Sequence, residues 1–287
     1  MSRIAYVNGR FTRRAEAFVH IEDRGYQLAD GVYEVWALFD GKLADPEGHF
    51  ARLERSLSEL RIPMPMSREA LTMVLREAVR RNGVREGLLY LQVTRGVAPR
   101  MHAFPQNPVP PAVVITVNRV DRAADEARAA QGVAVTTTPE NRWGRCDIKT
   151  VGLLSNVLAK QAAREAGAVE AWYVDELGLV TEGASSNAWI VDADGVLRTR
   201  DTQANILRGV TRLSLLEVAR EAGFEVQQRP FSVAEAKAAR EAFITGAGSL
   251  VLPVVKIDGD PVADGRVGPV ASRLRRLYIE RARATAI

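Results

Sequence analysis

The 287 residues carry 39 Lys and Arg against 35 Asp and Glu, for a formal net charge of +4, and are 47% hydrophobic and 26% charged. That balance excludes a disordered or low-complexity chain, and the length allows a sizeable core without metals or staples. The lone Cys146 excludes an internal disulfide, and three histidines (His20, His49, His102) leave little for a metal site, so none is expected.

In chain order, "MSRIAYVNGRF" lacks the apolar core of a signal peptide and no apolar run approaches membrane-spanning length, which points to a soluble, cytoplasmic protein. The first segment alternates strand patterns with the hairpin dipeptides Asn8-Gly9 and Asp40-Gly41. A helix is expected over about 47–61, and a second opens at Ser67 as N-cap and ends near Gly83. "GLLYLQVTRG" and "AVVITVNRV" read as strands around the Pro-rich "APRMHAFPQNPVPPA". These elements make an N-terminal α/β domain, 1–120. "DRAADEARAAQ" has neither sustained apolar periodicity nor turn chemistry, which places an interdomain connection at 121–131. The C-terminal α/β domain, 132–287, then runs through "GVAVTTTPE", a helix at about 150–167, the strands "EAWYVDELGLVTEG" and "SNAWIVDADGVLRTR", a helix from Val210, "FEVQQRPF", a short helix near 233–242, "AFITGAGSLVLPVVKID" and a closing helix near 267–284. The class is mixed, α+β or α/β, in two domains.

A basic chain raises a nucleic-acid partner as one reading. The arginines of "RLERSLSELR" and "LREAVRRNGVRE", however, interleave with glutamates at helical spacing, as solvated faces do, and no basic stripe with aromatics appears. A second feature is sharper. The chain holds only five lysines (Lys42, Lys149, Lys160, Lys237, Lys256), so 34 of its basic residues are arginine, yet Lys149 stands inside the mostly apolar "RCDIKTVGLL". A lysine can shed its proton and act as nucleophile, Schiff-base partner or base, and an arginine cannot. Four further stretches gain meaning beside it. "VTEGASSNAWIV" places Glu182 at a strand end before small polar residues including Ser185. "ILRGVTR" sets Gly209, Val210 and Thr211 at a helix start, where free N–H groups favour a phosphate. "FITGAGS" packs Gly246, Ala247, Gly248 and Ser249 into a turn that exposes backbone, and "HFARLERS" puts Arg52 on a helix. Singly, each reads more simply as a turn acid, a cap, a tight turn or a surface ion pair. Together, an amine, an acid and two phosphate-type turns are what pyridoxal 5'-phosphate requires.

The runs "EDRGYQLADGVYEV", "QVTRGVAPRMHAF", "RCDIKTVGLLSNVLAKQAA", "TEGASSN" and "LRGVTR" resemble, in order and across nearly the whole chain, the D-amino-acid aminotransferases among the fold-type IV pyridoxal-phosphate enzymes. The resemblance implies a two-domain fold with the cofactor between the domains, and a homodimer with active sites at the subunit interface. It also implies ping-pong transamination between a D-amino acid such as D-alanine and a 2-oxo acid such as 2-oxoglutarate. By the same resemblance Lys149 forms the Schiff base and shuttles a proton, Glu182 pairs with the pyridine nitrogen, Leu207 props the ring, and Arg52 binds the phosphate. Gly209, Val210, Thr211, Gly246 and Ala247 complete the phosphate cradle, and Ser185 is counted with them as cofactor-binding. Tyr33 lines the site, and Arg100 and His102 of "PRMH" match a carboxylate trap that reaches across from the partner subunit, with His49 near it. Ala247 departs from the pattern, which commonly has a hydroxyl there. Branched-chain L-amino-acid aminotransferases, R-selective amine transaminases and aminodeoxychorismate lyases share the fold and stand as alternatives.

Overall fold

Asn8-Gly9 and Asp40-Gly41 both adopt the left-handed backbone that two-residue hairpin turns need, with φ of 44° and 92° at the first pair and 53° and 80° at the second. The computed structural model describes residues 3–203 and 206–287. The chain divides into two compact units: Met1–Asp121 with Ile148–Gly152 and Thr285–Ile287, and Arg122–Asp147 with Leu153–Ala284.

Among the described residues, the first unit holds β1 (Ile4–Val7), β2 (Arg10–Arg13), α1 (Arg24–Leu28), β3 (Gly31–Phe39), β4 (Lys42–Leu43), α2 (Pro46–Glu59), α3 (Arg68–Asn82), β5 (Gly87–Thr94) and β6 (Ala112–Arg119). Its six strands form one sheet in the order β2-β1-β6-β5-β3-β4, antiparallel throughout. The Ser67 side chain caps α3 by accepting from the Ala70 amide, and Gly83 ends that helix in the left-handed conformation. Period-two alternation turns Val32, Trp36 and Leu38 of β3 inward, where they pack with Phe50 and Leu53 of α2 and Leu71 and Leu75 of α3.

The second unit holds α4 (Arg122–Gln131), β7 (Val133–Pro139), α5 (Leu154–Glu165), β8 (Glu170–Val174), β9 (Val180–Gly183), β10 (Asn187–Val191), β11 (Leu197–Thr199), α6 (Val210–Glu221), β12 (Val226–Gln228), α7 (Val233–Ala238), β13 (Glu241–Gly246), β14 (Leu250–Ile257), β15 (Asp260–Pro261) and α8 (Pro269–Thr285). Its nine-stranded sheet, among the described residues, runs β12-β11-β10-β13-β14-β7-β8-β9, with β15 on β14. The β12-β11, β14-β7 and β7-β8 pairs are parallel and the others antiparallel. The core of this unit includes Trp172, Ile190, Phe231 and Ile244.

Two expectations about organisation change. The segment 121–131, expected as a connection, is almost wholly the helix α4, of which only Ala129 is buried. Its alanines, arginines and acids favour helix by intrinsic propensity even where the apolar stripe is thin. The helix expected from about 150 begins at Leu154, because Ile148–Gly152 packs with the first unit as extended chain. Among the described residues no helix is long and apolar enough to cross a membrane.

Candidate active site

Lys149 owes its setting to that extended segment. Thr150 bridges Val32, the Tyr33 amide donates to the Lys149 carbonyl at 3.0 Å, and the Val151 amide donates to Gly31 at 3.1 Å. Ile148 and Thr150 turn into the first unit at 4% and 9% exposure, so strand alternation leaves the lysine side chain on the other face. The lysine can stand in an apolar run because its neighbours, and not the ammonium, enter the core. Its Nζ lies 4.0 Å from the centroid of the Tyr33 ring, which itself stacks on Tyr90 at 5.6 Å.

Beside them in the first unit is a buried ionic cluster that the sequence reading missed. Glu34 is fully buried on β3. Its two oxygens accept from Arg52 Nε and Nη2, both at 2.7 Å, and Oε2 also meets His49 Nδ1 at 2.7 Å. Burial pushes the Glu34 carboxyl up, but Arg52 and His49 more than offset it and hold the group down at about 2. Burial lowers His49 from its ordinary value, against the pull of Glu34. Arg52, expected at a phosphate, is thus clamped in a defined orientation. His49, expected near the substrate, is 2% exposed and packs its ring 5.1 Å from Trp36. One face of α2 lies on the core, and His49 is on it. Arg100 and His102 stand exposed in an irregular segment after β5.

The second unit gathers the remaining candidates. Glu182 is the next-to-last residue of β9, at 4% exposure. Its Oε1 accepts from Arg142 Nη1 at 2.5 Å and the Leu207 amide at 3.0 Å, and its Oε2 from Asn187 Nδ2 at 2.9 Å. Arg142 is shared, giving Nε and Nη2 to Glu140 at 2.8 and 2.6 Å, with its guanidinium 4.4 Å from the Tyr173 ring centroid. Burial pushes the Glu182 carboxyl above its ordinary value, against the pull of Arg142. Burial likewise pushes the Cys146 thiol up to about 11, consistent with a packing residue.

Gly209 is the N-cap of α6 and offers no side-chain cap, so the first-turn amides at Val210 and Thr211 lack one. A Cβ on Gly209 would lie against the Asn187 side-chain oxygen, so glycine is required where the chain passes the Glu182 cluster. Gly246 ends β13, and Ala247 to Ser249 form the turn into β14; a Cβ on Gly246 would meet the Ser185 carbonyl and Ser249 Oγ, each at 3.2 Å. Ser185 Oγ donates to the buried Glu170 at 2.6 Å, so this hydroxyl serves the turn's own structure. Asn187, Arg142 and Glu140 were not found from the sequence. Among the described residues no group of three or more His, Cys, Asp or Glu could hold a metal ion.

Residues 31–257 match the family described as amino-transferase class IV. The chain belongs to the class IV aminotransferases. It is 39% identical to the D-alanine aminotransferase of Staphylococcus epidermidis over 272 residues, covering 94% of this chain and 95% of that one. In structure it is similar to the branched-chain amino acid aminotransferase of Escherichia coli, with a TM-score of 0.91 at 25% identity over 98% of this chain and 95% of that one. It is also similar to the T.th. branched-chain amino acid aminotransferase with pyridoxamine 5'-phosphate, with a TM-score of 0.87 at 29% identity over 98% and 94%. The resemblance and the fold-type IV architecture expected from the sequence are borne out. This class IV aminotransferase is a pyridoxal-phosphate-dependent transaminase, and its residues fit that cofactor: an amine presented outward in the first unit, a buried acid in the second, and an uncapped helix start whose Gly209 admits no Cβ.

Proposed function

We propose that the enzyme moves the amino group of a D-amino acid, D-alanine foremost, to a 2-oxo acid such as 2-oxoglutarate, as a cytoplasmic homodimer. The observation that carries the substrate class is the likeness to D-alanine aminotransferase across 94% of the chain, at higher identity than to the branched-chain enzymes. "PRMH" adds to it, since Arg100 and His102 are donors of the kind that grip a carboxylate.

Pyridoxal phosphate, when bound, supplies the electron sink that loosens the substrate Cα proton and carries the amino group between half-reactions. Lys149 anchors the cofactor through its amine and, once displaced, takes the Cα proton on one side and returns it. The Tyr33 ring beneath Nζ restricts where the amine can go. Facing the pyridine nitrogen as a carboxylate, Glu182 would favour a proton there, and the hydrogen bonds from Arg142 and Asn187 hold its two oxygens in place. Leu207, whose amide donates to Glu182, would prop the cofactor ring. A phosphate would be held by donors of these kinds: in the first unit Arg52, oriented by Glu34, and in the second the amides of Val210 and Thr211 and the backbone at Gly246 and Ala247.

Exposed apolar side chains support a second copy of the chain as partner: Phe18, Ile21 and Tyr26 are 79%, 76% and 74% exposed in the first unit, and Leu154, Val157 and Leu158 line one face of α5 at 73%, 58% and 63%. In that dimer Arg100 and His102 complete the site of the other copy. The test is a donor panel with 2-oxoglutarate as acceptor. D-Alanine should give pyruvate and glutamate, and L-leucine should give far less. Faster turnover of L-leucine would replace this reading with the branched-chain one that the structural neighbours represent.

A further inference from the structure

The segment that carries Arg100 and His102 has no regular secondary structure and its side chains are exposed, yet it is tied to a buried charged platform built from residues the catalytic reading does not use. Arg24, in the first turn of α1, is 2% exposed; its Nη1 donates at 2.7 Å to the carbonyl of Met101, the residue between Arg100 and His102, and its Nε donates at 2.8 Å to Asp30 Oδ2. Asp30 is shared. Arg95, at the end of β5 and 7% exposed, donates to it through Nε at 2.7 Å and Nη2 at 2.9 Å, and gives further donors to the carbonyls of Leu60 and Arg61 at 2.7 and 3.1 Å. Over the outer face of the Arg95 guanidinium lies the ring of Phe104, its centroid 3.6 Å away. The irregular segment therefore rests on the platform at two points, the Met101 carbonyl and the Phe104 ring. Two backbone links lead into it: the Arg24 amide donates to Gly96 at 2.9 Å and the Ala98 amide to Glu22 at 3.2 Å.

We propose that Arg24, Asp30 and Arg95 are positioning residues that hold the Arg100–His102 segment at its working height and so set how strongly the enzyme grips a substrate carboxylate. The inference rests on the reading of Arg100 and His102 as the carboxylate trap. It follows from the placement of the Met101 contact: a peptide carbonyl flanked by both trap residues cannot shift without moving both. Positioning of this kind acts on substrate binding and leaves the proton transfer at Lys149 untouched.

Arg24→Met tests this with little risk to the fold, because Arg95 still neutralises Asp30 through two hydrogen bonds. A second variant, Phe104→Ala, removes the other contact at a residue that is 47% exposed. Steady-state kinetics with D-alanine, single-turnover conversion of the bound cofactor by 2-aminobutane, which lacks a carboxylate, and the same measurements in an Arg100→Ala background make the comparison. Arg24→Met should raise the D-alanine KM about tenfold, the worth of a hydrogen bond from a charged donor, with kcat and the 2-aminobutane rate unchanged. Phe104→Ala should raise KM about threefold, the worth of an exposed cation–π contact. Neither change should add to the defect of Arg100→Ala, since all three act through one grip. A full additional KM increase in the Arg100→Ala background, an equal loss with 2-aminobutane, or an unchanged KM in Arg24→Met would each overturn the inference while leaving the trap standing. If Arg100→Ala itself leaves KM unchanged, the trap fails and the inference with it.

Discussion

Glu34 in the first unit and Glu182 in the second are both buried carboxylates on β-strands, and each accepts from an arginine, yet their carboxyls are displaced in opposite directions. Glu34 faces Arg52 edge-on through two hydrogen bonds and has His49 on one of the same oxygens, so both oxygens are matched by strong donors and the group is held at about 2. Glu182 takes one hydrogen bond from Arg142, whose other donors are spent on Glu140, and the nearby Glu140 charge works against its ionisation. Equal burial with a guanidinium that donates to both oxygens holds the Glu34 carboxyl low and makes a structural clamp. Equal burial with a single hydrogen bond from an arginine leaves the Glu182 carboxyl above its ordinary value.

The largest effect is expected from Glu182→Gln, which keeps the shape and removes the charge. It should lower kcat by about 10²–10³ while cofactor stays bound, the usual cost of losing one preorganised electrostatic contact. A variant with near wild-type kcat would place Glu182 with the clamps.

Glu34→Gln breaks the other half of the contrast and should act on stability before chemistry. Stranding Arg52 without its carboxylate should cost about 3–5 kcal/mol in unfolding free energy. The sign with pH follows from the depressed carboxyl: its stabilisation is present above the ordinary value of 4.5 and is lost as pH falls from 4.5 towards about 2. That displacement corresponds to roughly 3 kcal/mol. Denaturant unfolding at several pH values should therefore show a steep acid loss in the wild type that is flattened in Glu34→Gln. Parallel curves would remove Glu34 from the account of acid stability.

Glu140→Gln sharpens the comparison with a smaller effect. Freed from its second acid, Arg142 should pull the Glu182 carboxyl down, and the acid limb of the pH profile of kcat/KM should move to lower pH. Movement to higher pH would mean that Glu140 acts chiefly by orienting Arg142.

The two acids also differ in how visible they are in the sequence. Glu182 is announced by a local run, "TEGASSN", which continues into the turn that surrounds it. Glu34 carries a signal that is easily passed over. Along β3 the even positions Val32, Trp36 and Leu38 all face the core, and an acid on the same face must find a buried partner. Its partner Arg52 is read as a phosphate ligand from its motif, while the link between them comes only with the packing of α2 on β3. Arg142 is harder still, since it lies in an irregular segment and meets Glu182 forty residues on. Arg24 and Arg95 converge on Asp30 from six and 65 residues away, a juxtaposition that strand pairing alone creates. Lys149 is legible because lysine is scarce in this chain, and because Ile148 and Thr150 alternate with it. Periodicity misleads at α4, where alanine propensity makes a helix with one buried residue.

The central claim is that the outward-facing amine of Lys149 anchors the cofactor and moves the substrate proton. Lys149→Ala tests it most directly, read as the absorbance of the purified protein reconstituted with pyridoxal phosphate and as pyruvate formed from D-alanine. The account predicts a folded protein whose cofactor lacks the wild-type absorbance and which forms no pyruvate above background. Wild-type absorbance together with pyruvate formation near the wild-type rate would contradict it.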